Sequence, residues 1–291
     1  MPNQNQYTEE PNCPICTRPI KAMGGAKEYA FEGHQSSVVQ CVCGLWGLTP
    51  RLPENEMMKV YQSDGYFHDG DAGYDDYEDQ KESLKLTFRN FLKNVHSNCF
   101  VDGGLFEIGT GDGLLMQEAI PLYKYRAGTD FGEKSAEKTS EFANEIFTGG
   151  FDAMPSGYLK ENSIYTVVAT NVIEHVYDPV GLVKSIYEEL PKGGVLVLAA
   201  PDMGSFWRKI LGKKWPSFKL PEHVFYYDEE SLSLLMRDAG FGLTKPISCP
   251  HYFPVKTLIE KAGLSSKKIP HMIAKRSVKL PNIMTAIAGV K

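Results

Sequence analysis

The chain has 291 residues, 42% hydrophobic and 23% charged, with a formal net charge of −5. That is the make-up of an ordinary soluble globular protein with a full core, long enough for two domains or for one domain plus an appendage. The negative balance argues against a nucleic-acid partner, since phosphate binding needs a basic face; a local patch at Arg208, Lys209, Lys213 and Lys214 reads equally well as a solvated loop. No apolar run approaches the roughly 20 residues that span a bilayer. The opening stretch MPNQNQYTEEPN is polar and acidic, without an apolar signal region, so a cytoplasmic location with no membrane contact is expected.

Six cysteines in a chain of this length do not suggest a disulfide scaffold, and in a reducing compartment clustered cysteines read as metal ligands. Four of them lie at the front, Cys13 and Cys16 in CPIC and Cys41 and Cys43 in CVCG. Four thiolates complete a closed tetrahedral structural zinc site. The second pair has one residue between its cysteines rather than two, which leaves His34 as a substitute ligand and free buried thiols as the competing reading. Residues 1–50 are therefore expected to form a zinc-ribbon-like domain with its own small core. Cys99 and Cys249 are isolated and read as small apolar core residues.

Residues 51–80, rich in Pro, Gly, aromatic rings and acids, are expected to be a linker or mobile lid, with Tyr61, Tyr66, Phe67, Tyr74 and Tyr77 able to close over a site. Residues 81–96 carry Leu84, Phe88, Phe91, Leu92 and Val95 as one stripe of an amphipathic helix. From 105 onward strands and helices alternate. LFEI, YRAGTD, IFTGGF, IYTVVATNV and VLVLAAP read as strands, the fourth continuous enough to be buried on both faces. Asp178 with Pro179 opens one helix, closed by KGG, and Asp228 opens another, closed by Gly240. The pattern predicts an α/β fold with a Rossmann-like, doubly wound, mostly parallel sheet over 81–291. A substrate-loop insertion follows the fifth strand at about 203–227, with two Trp and four Lys.

The sharpest local signal is LFEIGTGDGLL, in which Gly109, Gly111 and Gly113 follow the first strand at every second position. Glycines at the carboxyl end of a strand in such a sheet let the backbone turn and approach a ligand. The spacing misses the nicotinamide fingerprint by one residue, and no G-K-[ST] follows, so the turn is not a P-loop. Asp130 ends the second strand and suits a ribose, while Glu107 beside the turn suits an amino-acid ammonium rather than a pyrophosphate.

EIGTGDG, GTD, NVIEHVYDPVGLV, LPKGGVLVLAAP and PEHVFYYDEESLSLLMRDAGF come in the order and spacing of class I S-adenosylmethionine-dependent methyltransferases, which this chain resembles over about 57–291. The front, including YQSDGYF just after the cysteines, is similar to the zinc-ribbon appendage of one branch of that family. The resemblance implies a seven-stranded sheet and S-adenosylmethionine as cofactor, beside structural zinc. It places Glu107, Gly109 and Gly111, with Gly113 in the same turn, at the methionine part, Asp130 and Phe131 at the ribose and adenine, Asp152 at the adenine amino group and Asn171 beside the cofactor. Glu174 and His175 follow just beyond. Two departures stand out: Tyr165-Thr166 replaces the Phe-Asp pair that often opens the fourth strand, and no Asn-Pro-Pro-Tyr-like segment follows it, which lowers the weight of nucleobase methylation.

The function expected is methyl transfer to an O or N atom of a small polar metabolite: a sugar, sugar nucleotide or secondary-metabolite intermediate in biosynthesis. A hydroxyl nucleophile calls for a general base, and His175 and His223 are the candidates. The insertion between them is expected to roof the acceptor. A protein or RNA acceptor delivered by the ribbon, a non-catalytic binding protein and a nicotinamide oxidoreductase are the competing readings.

Overall fold

A computed structural model describes residues 8–20, 27–31, 34–62, 77–99, 101–261, 270, 273 and 276–291. Its first strands are β1 (Lys27–Phe31), β2 (His34–Gln40) and β3 (Trp46–Thr49), followed by helices α1 (Glu54–Gln62) and α2 (Tyr77–Asn98). The alternating part runs β4 (Gly104–Ile108), α3 (Leu114–Ala119), β5 (Arg126–Asp130), α4 (Glu133–Ser140), β6 (Glu145–Thr148), α5 (Tyr158–Glu161), β7 (Ile164–Thr170), α6 (Pro179–Glu189) and β8 (Val195–Pro201). Then come α7 (Phe206–Leu211), β9 (Phe225–Tyr226), α8 (Glu229–Asp238), β10 (Leu243–Pro246), β11 (His251–Pro254), α9 (Val255–Lys261), β12 (Ser277–Leu280) and β13 (Met284–Val290).

The main sheet has seven strands in the order β10-β13-β8-β7-β4-β5-β6. β8, β7, β4, β5 and β6 are parallel, and β13 runs antiparallel to both of its neighbours. The expected Rossmann-like, mostly parallel seven-stranded fold is thus present. β4, β7 and β8 alternate residues between two apolar layers, as a strand covered on both faces must. Leu105, Val168 and Val197 face the layer under α2 and α3, while Phe106, Val167, Leu196 and Leu198 face the other. Helix caps follow local chemistry: the Asp178 side chain accepts from the Gly181 amide ahead of Pro179, and Asp228 forms a capping box with Ser231. The chain leaves β4 toward β5 and β6 on one side and returns through β7 on the other. The switch in strand order therefore lies between the carboxyl ends of β4 and β7, where open α/β sheets bind ligands.

The N-terminal part departs from the expected separate ribbon. β1, β2 and β3 form a sheet whose fourth strand, β9, comes from the far end of the substrate-loop insertion. β3 pairs antiparallel with it, Trp46 opposite Tyr226 and Gly47 opposite Phe225. One face of this small sheet, with Cys13, Ile20, Val39, Cys41 and Leu45, merges into the same apolar cluster as Ile173, Val224, Phe225 and Tyr227. The other face, Val38 and Leu48, packs on Met203, Trp215, Phe218 and Tyr226. Among the described residues the buried apolar side chains of this N-terminal part belong to clusters shared with the rest of the chain.

Residues 54–62, expected within a linker or lid, form a helix with Met57 buried. Just before it, buried Arg51 pairs with Glu9 at 2.8 Å and lies over the rings of Tyr177 and Phe225, while Tyr177 donates to the Leu52 carbonyl. Tyr61 and Tyr77 fall in α1 and α2; Tyr66, Phe67 and Tyr74 lie outside the described residues. Trp215, expected in the roof of the acceptor site, is a core residue, and Trp207 donates to the Pro281 carbonyl. No helix among the described residues is long and apolar enough to cross a membrane.

Candidate active site

The glycine turn leaves β4 with Gly109, Gly111 and Gly113 all at positive φ, 73°, 51° and 73°. A side chain at each would meet different surroundings. At Gly109 a Cβ would strike Val172 Cγ2 at 2.5 Å, so this glycine lets the turn pass close to the end of β7. At Gly111 nothing lies within 4 Å, so a side chain there would enter open space. At Gly113 a Cβ would press on Phe142 and Thr139 at 3.1 Å. Gly113 is buried as the N-cap of α3 against the end of α4, where a side chain would be crowded.

The side chains around the turn are held by it. The Asp130 carboxylate accepts from the Gly111 amide on one oxygen and the Gly132 amide on the other, both at 2.8 Å. That fixes its plane and leaves each oxygen a lone pair outward, a geometry that suits two vicinal hydroxyls. Burial raises its pKa, and the two amides act against that. Phe131 next to it is a large apolar ring, 69% exposed. A Cβ on Gly150 would meet both Asp152 Oδ1 at 2.8 Å and Phe131 Cζ at 3.2 Å, so Phe131, Gly150 and Asp152 lie close together beside Asp130. Glu107, at 2% exposure, has one carboxylate oxygen without a hydrogen-bond partner among the described residues. Burial, then the charge of Asp130, pushes its pKa well above the ordinary range. A buried acid of this kind is costly unless a cation joins it. Asn171, just past β7, takes the left-handed conformation at φ 54° while its amide bonds the Ala199 carbonyl. A non-glycine residue in that region is uncommon and clusters at functional sites.

Three residues on, a 3₁₀ turn (Ile173–His175) lays Glu174 and His175 against His223. Ligand atoms of all three lie within 4.8 Å of one another, and the imidazole centroids are 4.6 Å apart, edge to face. Glu174 is buried, and neither carboxylate oxygen has a hydrogen-bond partner among the described residues. Burial pushes its pKa up to about 8. His175 is pushed down to about 4 by burial, with Lys219 adding to it and the Glu222 backbone opposing. Burial, then His175 and Lys219, drives His223 well below its usual value. Both imidazoles are therefore neutral at pH 7. The Ser217 backbone holds His223, while Nδ1 has no partner and carries a lone pair. Tyr226 and Tyr227 add two buried hydroxyls without partners, each close enough to Glu174 to feel its charge. The sequence reading found both histidines but gave Glu174 no role; its one signal was an acid inside the apolar run VIEHV.

The four front cysteines converge. Cys13 Sγ lies 3.4 Å from Cys43 Sγ and Cys16 Sγ 3.3 Å from Cys41 Sγ, and all four fall within 4.8 Å of one another. These separations are too long for disulfides, whose S–S bond is about 2.05 Å. They suit sulfurs arranged around one tetrahedral ion, about 3.8 Å apart when each Zn–S is about 2.3 Å. The short second spacer is accommodated by pointing Val42 outward, 71% exposed, and by Gly44 at φ 99°. Among the described residues the four thiols make up the group; His34 is the first residue of β2.

The methyltransferase-domain family model matches residues 80–245. Among solved structures, a SAM-dependent methyltransferase from Thermotoga maritima is similar at 23% identity and a TM-score of 0.52, over 75% of this chain and 96% of that one. Magnesium protoporphyrin IX methyltransferase from Synechocystis PCC 6803, with SAH bound, is similar at 13% identity and a TM-score of 0.51, over 82% and 100%. Human N-acetylserotonin methyltransferase in complex with SAM is similar at 15% identity and a TM-score of 0.50, over 82% and 60%. At these identities the likeness is one of fold. No curated protein matches the sequence.

Proposed function

The chain belongs to the methyltransferase-domain family and is an S-adenosylmethionine-dependent methyltransferase; from that premise we propose that it methylates an O or N atom of a small polar metabolite, a sugar or sugar nucleotide foremost. The observation that carries the acceptor class is the buried polar cluster beyond β7. Glu174, His223 Nδ1 and the Tyr226 and Tyr227 hydroxyls are enclosed without partners of their own. Buried polar groups cost free energy unless they are hydrogen-bonded, so a cluster of this kind favours a partner rich in hydroxyls over an apolar one.

The residues around the turn fit the methyl donor. Gly111 gives it open backbone, Glu107 meets its ammonium, Asp130 its ribose hydroxyls, and Phe131 with Asp152 its adenine. When bound, that cofactor supplies a methyl group already activated on a sulfonium. The chain's own work is then to orient the acceptor, exclude water and take up a proton. His223 Nδ1 accepts the proton of an acceptor hydroxyl. Glu174 beside it, held protonated by burial, is a neutral hydrogen-bonding neighbour of the pair, and His175 sets its orientation. A neutral amine acceptor needs no such base.

Zinc held by Cys13, Cys16, Cys41 and Cys43 belongs to the same reading, supported by the convergence of four thiols. The ribbon's apolar faces are taken up by the catalytic domain and the insertion, which favours a structural role over delivery of a protein or RNA acceptor. The test is the pair His175→Ala and His223→Ala, assayed across pH on the acceptor. Loss of the base lowers turnover by about 10²–10⁴ with methyl-donor binding intact. Near-normal turnover in both, with an unaltered pH profile, removes histidine catalysis.

A further inference from the structure

The ribbon reaches the acceptor side of the site through backbone rather than through its metal. Val224 follows His223 directly, and it is clamped on both sides: its amide donates to the Glu174 carbonyl at 2.9 Å, and its carbonyl accepts from the Leu48 amide at 3.0 Å. Leu48 belongs to β3, whose neighbours Trp46 and Gly47 pair with Tyr226 and Phe225. β3 in turn leaves the second cysteine knuckle, where the Cys41 amide bonds the Leu45 carbonyl. Tyr227 lies on the same path, in one apolar cluster with Cys13, Cys41 and Val224. Among the described residues no backbone hydrogen bond of this kind links the ribbon to the glycine turn: Asp130 is held by Gly111 and Gly132, and Glu107 lies in the middle of the parallel sheet between β5 and β7.

From this we infer that the ribbon is a wall of the acceptor site: metal at the four thiols holds β3, β3 fixes Val224, and Val224 sets the positions of Glu174 and His223. β3 is thus a positioning element for the acceptor chemistry and is indifferent to the methyl donor. A two-residue strand such as β9 has little pairing of its own to hold it, and the costs of a short isolated pairing are met by the strand beside it. The carboxylate and the imidazole have to sit within a few tenths of an ångström for proton transfer, so a small loosening of β3 is felt there first. The inference rests on reading the Glu174–His175–His223 cluster as the acceptor side, and it adds a device that controls that cluster.

The experiment strips zinc from the full-length protein with a chelator and follows the imidazoles of His175 and His223 by long-range ¹H–¹⁵N correlation. Binding of S-adenosylhomocysteine is measured on the same samples by calorimetry. The expected result is that both imidazole signals shift or broaden while S-adenosylhomocysteine affinity stays unchanged, and that readdition of zinc restores the signals. A second variant guards against simple unfolding of the ribbon. In Gly47→Val the new Cβ meets Ile20 Cδ1 at 2.7 Å and rests against the Phe225 ring of β9 at 3.4 Å, so the added methyl groups crowd the β3–β9 pairing, and the three nearest atoms include no thiol. It should keep its zinc and S-adenosylhomocysteine affinity and reproduce the imidazole shifts. Unchanged imidazole signals in both samples overturn the inference, as does a parallel loss of S-adenosylhomocysteine affinity, which would make the ribbon a support for the whole fold. Failure of histidine catalysis would show instead in the turnover of the histidine variants, with these signals moving as expected.

Discussion

Glu174→Gln should make the protein more stable at high pH than the wild type and equally stable at low pH. The carboxyl is 1% exposed and lacks partners, and burial lifts its pKa from 4.5 to about 8. Between those two values the folded state holds a proton that the unfolded state has released, so wild-type stability falls as pH rises through that window. At about 1.36 kcal/mol per pH unit the loss attributable to this group reaches an upper limit of about 5 kcal/mol at pH 8. Glutamine has the shape of the protonated acid and does not titrate. His175 and His223 are pushed the other way and gain stability as pH rises toward 6.5, but they are present in both proteins and cancel in the difference. Urea unfolding of the two proteins at pH 5, 6.5 and 8 reads the difference directly. A gap that opens with pH in favour of the variant supports the buried, partnerless acid. A gap that is constant, or one that opens in favour of the wild type, refutes it and makes Glu174 an ionised partner of a charged imidazole.

Asp130→Ala should weaken methyl-donor binding by roughly 1.5–3 kcal/mol, the range for charge-assisted hydrogen bonds, with little change in unfolding midpoint; calorimetry with S-adenosylmethionine checks it. Gly111→Val should block the same binding while the chain stays folded, because its side chain enters open ligand space, whereas Gly109→Val should lower stability by driving into Val172. Equal effects of the two valines on melting temperature would contradict that division of labour within the turn.

Most of the frame was legible because it is set by local chemistry. Continuous apolar runs marked β4, β7 and β8, and an acid at each N-cap marked α6 and α8. The order of motifs supplied the sheet. What was not legible is non-local. Phe225 and Tyr226 make a strand too short to leave a period, and its partner lies almost 180 residues earlier in the chain, so the ribbon read as an independent domain. Three glycines at alternate positions look alike in a sequence; only their surroundings separate Gly111, which faces open space, from Gly113, which faces Thr139 and Phe142. Glu174 escaped because burial of a charge has no sequence signature. The histidines stood out by residue type, and the buried acid beside them did not. The stretch at 54–62 read as linker because its composition is polar, yet the burial of Met57 and the stacking of Arg51 on Tyr177 and Phe225 hold it to the body.

The most direct measurement is a transfer assay with S-adenosylmethionine carrying an isotopically labelled methyl group, offered in parallel to sugar nucleotides, to small-molecule extracts, and to protein and RNA fractions, with products read by mass spectrometry. The account predicts label on a small hydroxyl- or amine-bearing metabolite, abolished by Asp130→Ala and strongly reduced by His223→Ala when the acceptor atom is a hydroxyl oxygen. Label confined to the protein or RNA fraction, with none on any small molecule, would contradict it.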